Sequence, residues 1–138
     1  MSVLSEASKA YAANPGRDEM DQLLVALMLA LESDADVYLP AHVTGPKMEV
    51  QLGMVQASDG KWYGLMCSTQ EELHRLPGAV SVTMKLQQVL LSVRNTPGMA
   101  GLVLDPGNGA NCFLREDELS VLLEELGQRK AAPAPRNN

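Results

Sequence analysis

One stretch of the chain, Gly101–Leu114, constrains the fold more than any other. The apolar run Met99–Leu104 is typical of a buried strand, and the Asp-Pro-Gly-Asn-Gly sequence after it combines residues that favour a tight turn. The run Asn111–Leu114 predicts a second strand, and the acidic triplet Glu116–Glu118 suits the first turn of a helix. We therefore expect strand, turn, strand and helix in this order.

Apolar side chains recur at helical spacing along much of the chain. The strongest pattern runs from Asp18 to Leu31, with apolar residues at i, i+3, i+4 and i+7 and acidic residues in the first turn. Shorter helices are predicted over Val3–Ala13, Leu86–Val93 and Leu119–Leu126. Gly127 suits the end of the last of them, and Ser68 with Glu71 forms a capping-box pattern that predicts one more short helix.

Strand patterns lie between these helices. They are predicted at Val37–Pro40, Met48–Met54, Trp62–Cys67 and Val80–Val82, in addition to the two strands named above. Proline is expected to end the first strand, and Ser58-Asp59-Gly60 has the chemistry of a hairpin turn between the next two. Since hairpins outnumber parallel crossovers, we predict an α+β fold: a mixed, largely antiparallel sheet of about five to six strands with helices packed on it.

Length and composition favour one soluble domain over residues 1–127, followed by an Ala- and Pro-rich disordered tail over residues 128–138. Because the net charge is −6 and no Lys/Arg cluster occurs, nucleic acid is not an expected partner. The longest apolar run, Leu23–Leu31, is too short to cross a membrane, and the N-terminus lacks a secretory signal pattern. We expect a cytoplasmic location.

Residues that could carry chemistry are sparse. Asp105 and Glu116 have the spacing of the outer ligands in a calcium loop, but Gly107 lies where a ligand is needed, so a turn is favoured. No metal site, cofactor or catalytic residue is therefore expected. An enzyme would need Cys67 or Cys112 close to His42 with a lowered thiol pKa; buried, reduced thiols are the simpler interpretation.

Two functional hypotheses remain. Val25 and Leu29 lie off the main apolar stripe of the strongest helix, which indicates a non-enzymatic interaction or regulatory module with a possible homodimer interface there. The alternative is a small-ligand sensor for amino acids, and its pocket would be lined by Tyr38, His42, Trp62 and Tyr63.

Three segments carry a resemblance to a known family. They are the helix Asp18–Leu31 leading to Val37-Tyr38-Leu39-Pro40, the segment Gly60–Leu73 with the sequence GKWYGLMCSTQEEL, and Gly101–Leu119. The chain thereby resembles the N-terminal domain of the SseB family, named for enhanced serine sensitivity. The family's turn usually carries Asn-Pro where this chain has Asp105-Pro106. The resemblance implies an α+β module of bacterial type and supplies no catalytic or ligand-binding residue.

Overall fold

The computed structural model of the chain describes residues 3–44, 46–47, 49–108 and 112–131. These residues form an α+β fold with five α-helices and seven β-strands, as the sequence predicts in outline. In chain order the elements are α1 (Val3–Ala13), α2 (Arg17–Glu32), β1 (Asp36–Thr44), β2 (Glu49–Leu52), β3 (Met54–Gln56), β4 (Trp62–Met66), α3 (Gln70–His74), β5 (Val80–Lys85), α4 (Leu86–Asn95), β6 (Met99–Leu104), β7 (Phe113–Arg115) and α5 (Glu116–Ala131).

The strands form two sheets. The first has the order β2-β1-β5 and is antiparallel throughout. The second has the order β3-β4-β6-β7, in which β4 and β6 are parallel and the other pairs antiparallel. The parallel pair follows from the long crossover through α3, β5 and α4, whereas hairpins supply antiparallel neighbours. The predicted mixed, largely antiparallel pairing is confirmed, and the strands are divided between two sheets.

The two sheets meet beside β1. Tyr38 and Cys67 exchange backbone hydrogen bonds of 3.0 and 2.8 Å, which attaches the end of β4 to β1. Gly53 lies at the same junction: its N–H donates to the carbonyl of Pro40 at 2.8 Å, and its own carbonyl accepts from the N–H of Leu65 at 3.1 Å. Gly53 therefore marks the corner at which the chain leaves the first sheet, as β2, and enters the second, as β3.

This corner overturns one prediction from the alternating pattern. Met48–Met54 was expected to be a single strand, but β2 ends at Leu52 and Met54 begins β3 in the other sheet; Met48 itself lies outside the described residues. A side chain at Gly53 would bring its Cβ within 3.1 Å of Leu65 Cδ1 and 3.2 Å of the Pro40 carbonyl. The close approach of three backbones at the corner explains why a glycine lies there. The predicted hairpin is confirmed and consists of β3 and β4.

Two further predictions are wrong. Pro40 does not end β1. Its backbone nitrogen is directed to the side of β1 away from β5, so the missing N–H removes no hydrogen bond between β1 and β5. His42, which follows Pro40, consequently lies within β1, opposite Gln51 of β2. Gly127 does not end α5, which continues to Ala131 and thus includes the first residues of the predicted tail. Residues 132–138 of that tail lie outside the described residues.

The core lies between the helices and the sheets. In α2 the buried residues Leu23, Leu27 and Leu31 follow the predicted helical stripe, as do Leu119 and Leu126 in α5. These side chains belong to one continuous cluster that also includes residues of α4, β1 and β6. Such burial is the main stabilising contribution to a domain of this size.

Candidate interaction surface

The exposed side of α2 carries two apolar side chains. Val25 is 60% exposed and Leu29 is 52% exposed, although the opposite side of the same helix is buried. The two residues are four positions apart, so they are neighbours on the helix surface. An apolar pair on the outer side of a well-packed helix adds little to the stability of the isolated chain. It is the kind of feature that marks a contact with another molecule.

Charged residues lie at both ends of this pair. Asp21 lies one helical turn before Val25, and Asp18 lies one turn before Asp21. Both aspartates are exposed, as is Val25. At the other end, Glu32 follows Leu29 and accepts a 2.6 Å hydrogen bond from Arg129 of α5. The α2 patch, defined here as Val25 and Leu29, thus has a negative border at its N-terminal end and an ion pair at its C-terminal end.

A second apolar feature is a groove of about 540 Å³ between the two sheets and α4. Its lining consists of Leu39, Leu52, Gly53, Met54, Gly64, Leu65, Met84, Val89, Ser92, Val93, Thr96, Met99 and Leu102. The lining contains no ionisable side chain, and the Thr96 hydroxyl already donates to the Ser92 carbonyl at 2.6 Å. The volume is in the usual range of small-molecule pockets, but the chemistry is almost entirely apolar.

Trp62 and Tyr63, two of the four residues of the predicted aromatic pocket, lie on opposite faces of β4 and so do not line one pocket. Tyr63 is buried, its ring makes an edge-to-face contact with Phe113 at 4.8 Å, and its hydroxyl accepts a 3.1 Å hydrogen bond from Arg115. Trp62, the preceding strand residue, therefore points to the opposite face and is 45% exposed. His42 is exposed on β1. Tyr63 lines a separate, more polar cavity with Lys61, Arg115 and Asp117, and none of the four residues expected to line the pocket lines the apolar groove.

Both cysteines are buried and free. Burial raises the pKa of the Cys67 thiol to about 12, and the negative charges of Asp105 and Glu72 act in the same direction. For Cys112, burial and then the charges of Asp105 and Glu118 raise the pKa to about 12 as well. A nucleophilic cysteine needs a lowered pKa, so these thiols have the opposite electrostatic environment from an activated one.

Sequence reasoning missed the polar cluster around Asp105. Its carboxylate is buried and accepts hydrogen bonds from the Ser68 N–H at 2.7 Å, from the Ser68 hydroxyl at 2.7 Å, and from the Ser8 hydroxyl of α1. Because the Ser68 hydroxyl binds Asp105, the predicted cap is displaced by one residue. Thr69 caps α3 instead and accepts from the N–H of Glu72 at 3.2 Å.

A neighbouring ion pair fixes α3 to the turn after β6. Arg75 donates to Glu72 at 3.2 Å, to the Asn108 side-chain oxygen at 2.5 Å and to the Gly107 carbonyl at 2.9 Å. Glu72 is buried and also lies 3.8 Å from the ammonium group of Lys9. Because these charged groups bind one another, the cluster holds α1, α3 and the turn together and is structural.

The described residues contain neither a cluster suited to a metal ion nor a helix suited to crossing a membrane. No three His, Cys, Asp or Glu side chains in this part of the chain lie close enough together to hold a metal ion. Among the helices in the same residues, none combines the length and the apolar character needed to span a bilayer.

The fold and surface define the protein as a small α+β module whose most distinctive external features are apolar. The chain belongs to the SseB protein N-terminal domain family, whose sequence model matches residues 4–120. This confirms the resemblance found in the sequence and extends it from α1 into α5. Comparison with curated proteins gave no match, and neither did comparison with solved structures.

Proposed function

We propose that the chain is a non-enzymatic protein-interaction module that binds its partner through the α2 patch. The supporting observation is the exposure of Val25 and Leu29 on a helix whose other side is fully packed. Since both side chains are already partly covered, burying their exposed part against a partner would be favourable by about 1–2 kcal/mol each before the cost of association. The proposed location is the cytoplasm, a compartment in which free thiols such as Cys67 and Cys112 stay reduced.

The charges around the patch select the kind of partner. Asp18 and Asp21 border the apolar pair at its N-terminal end, and the chain as a whole carries a net charge of −6. A second copy of α2 docked in parallel on the patch would bring the acidic borders together, and one docked antiparallel would bring Asp18 and Asp21 against Glu32, whose partner Arg129 is already engaged. We therefore favour a different protein that presents an apolar segment flanked by lysine or arginine.

Site-specific photo-crosslinking tests this proposal. A benzophenone amino acid is placed at position 29 of the full chain in living cells, and adducts are identified after irradiation. Val121 is the matched control: it is 64% exposed on α5 and lies among acidic residues, but it has no apolar neighbour like Val25. We expect an adduct to a basic partner surface at position 29 and none at position 121.

The charge argument predicts a second readout in the same experiment. Replacing Asp18 and Asp21 with Asn should weaken the adduct at position 29, because the attraction to the basic border is lost. No adduct at position 29, or the same set of adducts at both positions, would contradict the proposal.

The groove supports a second candidate function, the binding of a small ligand. The ligand that fits the groove is aliphatic, and not the amino acid expected from the sequence. A free amino acid needs partners for its ammonium and carboxylate groups, and the groove lining offers no ionisable side chain. An aliphatic ligand fits this chemistry better, and Met54, Met84 and Met99 can adapt to its shape. In a thermal-shift assay, the uncharged aliphatic probe decanol should raise the melting temperature whereas free amino acids should not, and Leu52→Asp at the groove edge should abolish the shift.

A further inference from the structure

Strand β5 lies at the edge of the first sheet. It pairs with β1 along Val80–Lys85, and no strand in the described part of the chain pairs with its other side. The five residues Val80–Met84 carry no charge, contain no proline or glycine, and are exposed or half-buried. Natural proteins usually protect such an edge with charges, proline or a bulge, because its free N–H and C=O groups invite another strand.

The register of the sheet shows which backbone groups are free. Tyr38 and Pro40 direct their hydrogen-bonding groups towards Cys67 and Gly53, on the side of β1 away from β5. The alternate residues of β1 therefore face β5, and their partners there are Met84, Val82 and Val80. It follows that Ser81 and Thr83 direct their backbone N–H and C=O groups outward, to the open edge.

We propose that a second copy of the chain pairs antiparallel along this edge, with the two-fold axis at Val82. In this register each Ser81 lies opposite Thr83 of the other copy, and each such pair can exchange both backbone hydrogen bonds. The two Val82 residues then form the central pair, and Val80 lies opposite Met84. Two three-stranded sheets become one continuous sheet. This surface is separate from the α2 patch and goes beyond the proposed function.

The sequence of β5 is self-complementary in this register. Reading outward from Val82, the residues on either side are Ser81 and Thr83, then Val80 and Met84, so polar residues meet polar ones and apolar residues meet apolar ones. A shift of the pairing by one residue would break this match. It would also place a residue whose backbone groups point to the open edge opposite one whose backbone groups point to β1. A two-residue slip in one direction would press the partner strand against Leu86, where α4 begins.

Charge opposes contact between two copies less at this edge than at the acidic surfaces of the chain. The chain carries a net charge of −6, so most surfaces of two copies repel each other, whereas Val80–Met84 is neutral. The nearest charge is Lys85, whose ammonium group lies 3.1 Å from Asp36 and 3.7 Å from Asp34 of its own chain. The cluster of Lys85, Asp34 and Asp36 keeps one net negative charge, and the antiparallel register places the two such clusters at opposite ends of the paired strands, where they do not face each other.

Mass measurement at several concentrations tests the dimer. Light scattering should give twice the chain mass of 14.9 kDa. Thr83→Pro removes an outward N–H without touching the ladder to β1, so it should give a folded monomer. Leu29→Glu, on the α2 patch, should leave the dimer intact. A wild-type protein that is monomeric at every concentration, or a dimer lost in Leu29→Glu and kept in a folded Thr83→Pro, would overturn the proposal.

A crosslinking arm tests the register and does not depend on the folding of Thr83→Pro. The central pair lies at the shorter cross-strand spacing, which allows a disulfide. Under mild oxidation Val82→Cys should form a covalent dimer, whereas Val80→Cys, opposite Met84, should not. The native thiols are buried and should not interfere. Equal crosslinking of both variants, or of neither, would contradict the pairing at Val82.

Discussion

The side-chain hydroxyl of Ser68 donates a 2.7 Å hydrogen bond to the carboxylate of Asp105, which lies 37 residues further along the chain. The backbone N–H of Ser68 binds the other oxygen of the same carboxylate, and the Ser8 hydroxyl of α1 completes the set. One buried side chain thus joins α1, the start of α3 and the end of β6. Asp105 adopts a positive φ of 49°, which is tolerated by Asp more readily than by most residues.

We predict that Asp105→Ala destabilises the fold by about 3 kcal/mol or more. The substitution leaves the Ser68 hydroxyl and N–H without their acceptor in a buried position, whereas the Ser8 hydroxyl keeps the Ser5 carbonyl at 3.1 Å. Asp105→Asn should cost less, about 1–2 kcal/mol, because it keeps an acceptor for the Ser68 N–H. Urea unfolding measures both values. Exposed Asp21→Ala serves as the control and should change stability by about 0.5 kcal/mol or less; equal effects at positions 21 and 105 would contradict the role of the cluster.

Two glycines should respond in opposite ways to the same substitution. A Cβ on Gly101 would lie 2.0 Å from the Leu114 carbonyl oxygen, so Gly101→Ala should cost about 4 kcal/mol or prevent folding. Gly127 has open space around it and lies inside α5, so Gly127→Ala should stabilise the protein by about 0.5–1 kcal/mol. Thermal melts of both variants decide this. Destabilisation by Gly127→Ala would mean that α5 does end there, as the sequence alone predicts.

The elements of this fold could be predicted where local pattern determines them. The spacing of Leu23, Leu27 and Leu31 predicts both the existence of α2 and its buried side, and the same spacing places Val25 and Leu29 outside. The α2 patch is therefore visible in the sequence, because it depends on the period of a single helix.

The parts that could not be predicted depend on distant residues. The alternation around Gly53 indicates which residues share a face, but it carries no information on the change of sheet, which is decided by Pro40 and Leu65. In the same way, nothing near Asp105 indicates that its partners lie 37 and 97 residues away. The open edge of β5 likewise depends on the register between β5 and β1, which no local pattern in the sequence indicates.

Leu29 and Leu27 should differ sharply in their contribution to folding. Leu29→Ser should lower the free energy of unfolding by only about 1 kcal/mol, from the loss of a half-buried side chain and of helix propensity, because the side chain is 52% exposed. Leu27→Ala should cost about 2–5 kcal/mol, because Leu27 is fully buried and its truncation leaves a cavity. Urea unfolding of the two variants checks this. A large loss for Leu29→Ser would assign that residue to the core and remove the basis for an α2 docking surface.

The buried thiols should make the protein sensitive to alkaline pH. In the folded state burial raises the pKa of Cys67 and Cys112 to about 12, from an ordinary value of 9.0. Unfolding exposes both thiols, which then lose their protons at a lower pH, so above pH 9 the unfolded state binds fewer protons than the folded state. This contribution to stability is fully present below pH 9 and declines as the pH rises from 9 towards 12.

The urea midpoint at pH 8 and at pH 10.5 measures this effect. Other groups also titrate in this range, so the comparison is with Cys67→Ala/Cys112→Ala, in which only the thiol contribution is removed. We expect the midpoint of the unmodified protein to fall more steeply with pH than that of the double variant. At pH 7.5 a thiol-reactive probe should label neither cysteine until urea unfolds the chain, because both thiols are buried and protonated. Rapid labelling of the folded protein would show an activated thiol and would revive the possibility of cysteine chemistry.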